Sequence, residues 1–502
     1  MKVSRRTFLG TTVTAGTAFT VIPSHAMGSA LGHRAPSEKL NVAVVGPAGI
    51  GAVNIRPIRE TENIVALCDV DWRKASRIFE ANPNAKQYWD YRKMYDEIGS
   101  SIDAVVVATP DHTHAIIAAD AMTIGKHVYV QKPLTHSVYE SRLLTKMAEK
   151  YKVATSMGNQ GASWEGTRDC CDWIWNGEIG EVKRVDSFTN RPIWPQGLNP
   201  PRQPQWVPET LNWDLFIGPA KMIPYHEIYH PWNWRGWWDF GTGALGDMAC
   251  HNLHPVFKSL HLGYPIKVQG TSTMLLRDCA PNAQYVRYVF PERIIPANRR
   301  VKFPEVEVNW YDGGIRPMMP DGWPEGRNMD IGGGGCIFYG TKDTMVCGAS
   351  GRSPWLISGR VPVNVPKTQR AVPLPAGSTR ADQGEHEMDW VRACKESAES
   401  RVETASPFRE AGPFNEMVVM GVLAVRLQGL NRVLNWDGAN MRFTNIGEND
   451  TIRMVIEETT SFENGEPAFG RPRTEPINAG EFAAELIKHT YREGWKLPDM
   501  PS

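Results

Sequence analysis

Between Leu40 and Gly158, apolar strand-like runs alternate with helix-like segments, and no other feature of the chain narrows its fold as far. The segments read "KLNVAVVGPAGIGAVNIRPIRE", "NIVALCDVD", "DAVVVATPDHTHAIIAADAMTIGK", "HVYVQKPLTHSVYESRLLTKMAEKYK" and "VATSMG". Parallel strands cannot be joined by tight turns and need a helical crossover, so this rhythm predicts βαβ units and a parallel sheet. At 502 residues the chain is too long for one typical domain. We expect an α/β protein: a first domain over 38–160 and a second α/β domain over 161–502.

The turn "GPAGIG" (46–51) follows the first strand and opens a helix. It fits the G-x-G-x-x-G pattern with Ala48 at the second glycine, the position that lets a pyrophosphate approach the backbone. Asp69 ends the next strand-like run, 23 positions after Gly46. A carboxylate there can accept from both hydroxyls of an adenosine ribose and would repel a 2′-phosphate. The predicted cofactor is NAD rather than NADP, held by Gly46, Ala48, Gly49, Ile50, Gly51 and Asp69; Arg73 is the residue that speaks for NADP.

Two further stretches, "ATPDHTHA" (108–115) and "HVYVQKPLTHSVYE" (127–140), together with this turn resemble the Gfo/Idh/MocA oxidoreductases, which include sugar and polyol dehydrogenases. The resemblance covers most of the chain after its first residues and is strongest to about residue 160 and over 241–254. It implies a Rossmann domain, then a domain with a large, mostly antiparallel sheet, one face of which often packs on a second subunit, so a homo-oligomer is expected. It also implies cofactor contacts from Thr109, Pro110, His112, His114, Gln131, Lys132 and Asn159, with Lys132 beside the nicotinamide and the substrate hydroxyl. The family's Glu-Lys-Pro stands here as Gln131-Lys132-Pro133, which removes a charge near the cofactor. The chemistry asks for such a lysine independently: oxidising a secondary alcohol requires the hydroxyl proton to leave as hydride does, so a base or donor must touch that oxygen.

In "LGDMACHNLHP" (245–255), Asp247, His251 and His254 stand four and then three positions apart. On one helix they would share a face, where they could hold a metal, run acid–base chemistry or line a polar core. The resemblance assigns Asp247 and His251 to the catalytic pocket, the imidazole taking or relaying the hydroxyl proton and the carboxylate orienting it. His254 replaces the aspartate found there in many members, either as a substrate contact or as a third metal ligand; acid–base chemistry without a metal is the preferred reading.

Just upstream, "YHPWNWRGWWDFGTG" (229–243) and "NRPIWPQGLNPPRQPQW" (190–206) mix aromatic faces with Arg191, Arg235 and Asp239, a combination suited to a carbohydrate. Arg191, Trp194, Trp232, Arg235, Trp238 and His254 are the candidate substrate contacts, and Gln160 a lesser one near the nicotinamide. The run "IGGGGCIFYG" (331–340) lacks the lysine and helix of a phosphate loop and reads as a turn in the second sheet. His386 opens a helix, and the segment from Asn415 reads as a long helix and a closing strand.

Lys+Arg and Asp+Glu both number 55, so no global charge attracts nucleic acid. The eight cysteines show no CxxC pair, which argues against a disulfide framework or a zinc site. "SRRTFLG" (4–10) sets twin arginines before an apolar stretch reaching Ile22, with Ser24 and Ala26 as a cleavage site. Residues 1–37 are read as a Tat-type signal and linker, so the mature chain is expected to be extracytoplasmic, without a membrane span. The function these features support is an exported, NAD(P)-dependent oxidoreductase for a secondary hydroxyl of a sugar, glycoside or polyol, with tightly held cofactor. A glycosidase or lyase working by transient oxidation and elimination is the alternative. A non-catalytic sugar-binding or redox-sensing protein is the third reading.

Overall fold

A computed structural model describes residues 38–295, 300–372 and 384–501; the twin-arginine segment lies outside the described residues. The first sheet holds six parallel strands, β1 (Asn41–Val45), β2 (Asn63–Cys68), β3 (Lys86–Tyr88), β4 (Ala104–Val107), β5 (His127–Val130) and β6 (Thr155–Met157), in the order β3-β2-β1-β4-β5-β6. Its central strands are buried on both faces, which is why Val42–Val45 and Ala104–Val107 read as unbroken apolar runs rather than alternating ones.

The crossovers are α1 (Ile50–Ile58), α2 (Trp72–Ala81), α3 (Tyr91–Ile98), α4 (Asp111–Thr123) and α5 (Val138–Tyr151). Several start where a side chain replaces a missing backbone partner. Asp71 accepts from Lys74 N at 3.2 Å, and Asp90 from Arg92 N at 3.0 Å. At α5, Ser137 Oγ accepts from Glu140 N while Glu140 Oε2 accepts from Ser137 N, a complete capping box five residues beyond Lys132. Replacing Ser137 by alanine is expected to cost about 1 kcal/mol of stability, read from chemical denaturation, and to leave cofactor affinity unchanged.

Helix α6 (Glu165–Trp175) leads into a nine-stranded sheet of β7 (Val182–Thr189), β8 (Lys267–Ser272), β9 (Gln284–Phe290), β10 (Val306–Tyr311), β11 (Gly334–Gly340), β12 (Thr344–Gly348), β13 (Trp355–Leu356), β14 (Leu434–Asp437) and β15 (Arg442–Phe443). Their order is β13-β12-β11-β7-β10-β9-β8-β14-β15, and only β7 and β10 pair in parallel. The α/β architecture is the one expected: a Rossmann-type parallel sheet, then a large, mostly antiparallel one. The glycine run at 332–335 enters β11, and Gly332, Gly333 and Gly334 hold positive φ, so it is a turn into a strand.

Between β7 and β8 lie α7 (Trp213–Ile217), α8 (Gly243–Asn252) and α9 (His254–Ser259); α8 packs on β7 and β11 of the second sheet. Two later helices return to the first sheet. In α10 (Glu385–Cys394), Trp390 is fully buried with its ring 5.7 Å from Tyr129, and Glu387 accepts from Asn54 Nδ2 at 2.6 Å. The helix α11 (Phe408–Arg426) starts before Asn415 and lies along α5 and β8, with Asn415 Oδ1 accepting from Leu134 N at 3.0 Å. The last strand of the first sheet ends at Met157, and residues from 385 onward return to complete its core. A last helix, α12 (Ala479–Ile487), packs against α5 and α11. Among the described residues no helix is long and apolar enough to cross a membrane, and all eight cysteines are free and buried.

Candidate active site

A cavity of about 780 Å³ opens along the carboxyl edge of the first sheet and beneath the 190–235 loops. Open α/β sheets place ligands at this edge. Its floor is the 46–51 turn. A side chain at Gly46 (φ +77°) would meet the Ala108 carbonyl carbon at 2.7 Å, so the turn must stay bare there. Gly46, Ala48, Gly49 and Ile50 line the cavity. Gly51 does not: a Cβ on it would lie 2.1 Å from Gly46 O, so this glycine lets α1 close onto the turn. Asp69, just past β2, also lines the cavity, its Oδ1 accepting from Asp71 N at 2.9 Å and its Oδ2 from Ala48 N at 3.4 Å. Burial raises its carboxyl to about 6 against the pull of these backbone donors. Bare turn, helix N-terminus and carboxylate at the end of β2 together fit a dinucleotide with a free ribose 2′-hydroxyl.

Thr109 and Pro110 line the cavity, but the contacts expected of three neighbours are corrected by where their side chains go. His112 is buried with its ring nitrogens 3.0 Å from Phe216 O and 3.3 Å from Phe240 O. His114 sits 2.8 Å from both Pro133 O and Thr109 O. Burial holds both imidazoles at about 4, so they are neutral struts that tie the 110–114 turn to the 216–240 loops and the Lys132–Pro133 turn. Asn159 is buried behind the cavity, with Nδ2 3.5 Å from Cys250 O; its neighbour Gln160 reaches the cavity instead.

At the end of β5, Lys132 Nζ donates to Asp247 Oδ1 at 2.8 Å and to Asp247 O at 3.0 Å. Arg235 Nε donates to the same Oδ1 at 3.2 Å. Burial would raise the Asp247 carboxyl, but Lys132 and then Arg235 hold it at about 2. His251, one helical turn on along α8, faces the same cavity. Burial, and next the Lys132 charge, lower its imidazole to about 3; the Asp247 charge acts in the opposite sense. The structure thus brings Lys132, Asp247 and His251 together from β5 and α8. Gln131 also lines the cavity, and its Nε2 donates to Asn54 Oδ1 at 3.0 Å. Asn54 in turn donates to Glu387 Oε1 at 2.6 Å, so Gln131 is tied through one amide to a buried carboxylate on α10.

His254 is not part of this group, and the picture of three residues on one helix face is corrected. Pro255 lacks an N–H to continue the ladder, and α8 ends at Asn252 before α9 begins at His254. The His254 ring is buried against Phe414 with Nε2 3.0 Å from Glu410 Oε1, a carboxylate it shares with Lys258. Neither substrate contact nor metal ligand follows from that position. Among the described residues no cluster of three or more His, Cys, Asp or Glu side chains is placed to hold a metal.

Arg191, Trp194, Trp232 and Arg235 line the cavity, joined by Trp234. The Arg235 guanidinium lies 4.1 Å from the Trp232 ring centre and 4.3 Å from that of Trp234. Trp238 is corrected: it is buried in the core with Arg426 over its ring at 5.2 Å. Four residues with a part in the site were not anticipated. Asp111, raised to about 7 by burial, accepts from Thr242 N at 3.1 Å and Thr242 Oγ1 at 2.8 Å, fixing the start of α8. His230 lines the cavity and joins Asp71 across the two domains at 2.9 Å. Trp89 and Trp495 line the far end. Only Asp111 carried a signal, as an acidic residue opening a helix after a strand-end proline.

Known proteins resemble parts of this chain in sequence and most of it in fold. An uncharacterized oxidoreductase of Synechocystis is 26% identical over 235 residues, 44% of this chain and 52% of that protein. The inositol 2-dehydrogenase of Rubrobacter xylanophilus is 33% identical over 113 residues, 22% of this chain and 31% of that enzyme. The chain spans about half or less of the length of such curated relatives. The WlbA dehydrogenase of Bordetella pertussis, crystallised with NADH and UDP-GlcNAcA, superposes with a TM-score of 0.51 at 15% identity over 80% of this chain and 99% of its own, a likeness of fold. Residues 40–159 match the oxidoreductase-family NAD-binding Rossmann fold, and residues 180–290 the same family's C-terminal α/β domain. By both domains, the chain belongs to the Gfo/Idh/MocA family of oxidoreductases.

Proposed function

We propose that this protein is an NAD-dependent oxidoreductase that acts on a secondary hydroxyl of a sugar, glycoside or polyol. The observation that carries the reading is the convergence of Lys132, Asp247 and His251 at the β5 end of the cavity whose β2 end holds Asp69. When bound, NAD supplies the hydride acceptor. The chain's own groups manage the oxygen. The neutral His251 imidazole has a nitrogen lone pair to receive the hydroxyl proton, and the Asp247 charge eases formation of the imidazolium against its burial. Lys132 Nζ is a donor for the oxygen as negative charge develops there. Asp247 keeps that ammonium in place, and Arg235, stacked among tryptophans, keeps Asp247 in place. The aromatic wall offers faces for sugar C–H groups, and Arg191 offers donors for hydroxyls.

The twin-arginine segment supports export in folded form, to a compartment where free NAD is scarce; a firmly held cofactor and a second substrate to recycle it follow from that reading. The second sheet is the surface we assign to self-association. To test the function, the protein is purified without added nucleotide, one portion is denatured to assay released NAD(H), and the rest is mixed with sugars and glycosides. NADH formed in one non-repeating turnover is the expected result. Glycoside cleavage without lasting NADH overturns net oxidation in favour of elimination, and a chain that neither carries nor binds NAD overturns the reading altogether.

A smaller effect tests the ribose end. Asp69→Asn keeps the shape but removes the charge, and is expected to weaken NAD binding by at least about tenfold, the low end of the roughly 1.5–3 kcal/mol for hydrogen bonds to a charged group. NADP affinity is expected to rise, so the NAD/NADP preference measured by NADH and NADPH fluorescence titration narrows from both sides.

A further inference from the structure

Beyond α12 the chain runs on without helix or strand from residue 488 to 500, yet it is fastened to both domains. Tyr491 Oη donates to Glu140 Oε1 at 2.7 Å, on α5 of the first domain. Arg492 grips α7 and the turn after it: Nε donates to Gly218 O at 2.5 Å, Nη1 to Asp214 Oδ1 at 2.7 Å, Nη2 to Asp214 O at 2.8 Å, and its backbone N to Pro219 O at 3.0 Å. Arg92 Nη1 reaches Gly494 O at 3.5 Å. These anchors set the Trp495 indole over the Arg92 guanidinium, 4.4 Å from ring centre to carbon, and into the wall of the cavity beside Asp90 and Tyr91.

The position of that wall follows from the sheet. Residues 89–91 leave β3 and Lys132 leaves β5, and the order β3-β2-β1-β4-β5 puts them at opposite ends of the carboxyl edge, with Asp69 next to the β3 end. The end away from Lys132 is therefore where Trp89 and Tyr91, just past β3, line the cavity, and Trp495 joins them there over Arg92. A ribose hydroxyl pair at Asp69 leaves the attached base to this aromatic end. A purine is flat and π-rich, and an indole with a cation on its other face is a good surface for it.

We propose that residues 488–500 are a strap across the adenosine end of the cofactor cavity and that Trp495 is a binding residue for the adenine base. The inference rests on the NAD reading above and adds its regulation: the cofactor leaves only when the strap lifts from Asp214 and Glu140. Cofactor exchange is then slow in a protein whose active-site residues belong to other elements.

The test uses the full chain and NADH itself. Wild type, Trp495→Ala, Trp495→Phe and Arg492→Gln are loaded with NADH, and its release is followed by stopped-flow displacement with excess NAD, reading nicotinamide fluorescence. Trp495→Ala and Arg492→Gln are expected to release NADH at least about tenfold faster with a smaller change in association rate, as most interface changes act on release. Trp495→Phe, which keeps a flat ring, is expected to stay within about threefold of wild type, so a misfolded alanine variant does not decide the matter. Equal release rates in all four proteins overturn the strap while leaving the NAD reading intact. Release from Trp495→Phe as fast as from Arg492→Gln overturns the base contact. A wild type that takes up no NADH overturns the cofactor reading itself.

Discussion

Lys132→Met is expected to lower kcat/KM by about 10³-fold, the middle of the range for a group that manages a proton or a developing charge in the transition state. The methionine keeps the length of the stem and removes the ammonium. Asp247 is not left orphaned by the change, because Arg235 Nε still donates to the same carboxylate oxygen at 3.2 Å. A fold that stays intact, shown by an unchanged circular dichroism spectrum and thermal midpoint, and NADH binding that stays within a few-fold of wild type would place the loss in the chemical step. A Lys132→Met enzyme with wild-type turnover would remove Lys132 from the mechanism.

His251→Gln is expected to lower kcat by about 10²-fold, with KM less affected, since the amide can still hydrogen-bond but cannot take a proton. Combining it with Lys132→Met is expected to cost less than the product of the single losses, because both act on one oxygen. The wild-type rate profile is expected to show no inflection from His251 between pH 5 and 8, as burial holds this imidazole at about 3 in place of its ordinary 6.5. The sign for stability follows from the same shift. The folded state disfavours imidazolium, so the contribution of His251 is complete above about 6.5 and is lost as pH falls toward 3, where the unfolded chain has already taken the proton. The stability difference between wild type and His251→Gln, measured by denaturant titration, should therefore move against wild type as pH falls from 7 to 4.

Legibility in the sequence followed how local each feature is. The first sheet could be read because its strands are buried on both faces and its helices begin at Asp71, Asp90 and Ser137, all short-range signals. Asp69 and Lys132 were legible for a related reason: each stands where a parallel strand ends, and such ends meet at one edge. His254 was misplaced because spacing was counted as though the helix continued, when Pro255 was already present in the sequence to end it. His112 and His114 looked like ligands in a motif, but three of their four nitrogens are spent on carbonyls 19 to 128 residues away in the chain, which no short window along the sequence reveals. The substitution of Gln131 for a glutamate was visible, whereas the carboxylate that stands behind it was not, since Glu387 lies 333 residues from its Asn54 partner. Trp495 had no neighbour in sequence to suggest a cavity wall.

The late return of α10 to the first sheet has a consequence for how the chain is made. Asn54 and Tyr129 wait for Glu387 and Trp390, and at ribosomal rates of about 5–20 residues per second a span of 333 residues takes on the order of 20–70 s to synthesise. From the completion of β6 at Met157 until Trp390 emerges, the nascent first sheet has strands enough to pair but lacks the tryptophan that covers one of its faces, so a sticky apolar surface stands open beside a growing chain. Translation speed across residues 160–390 and shielding by holding chaperones thus bear directly on yield: slowing that stretch with rare codons should raise the aggregated fraction, while the finished protein, once Trp390 is seated, is indifferent to either.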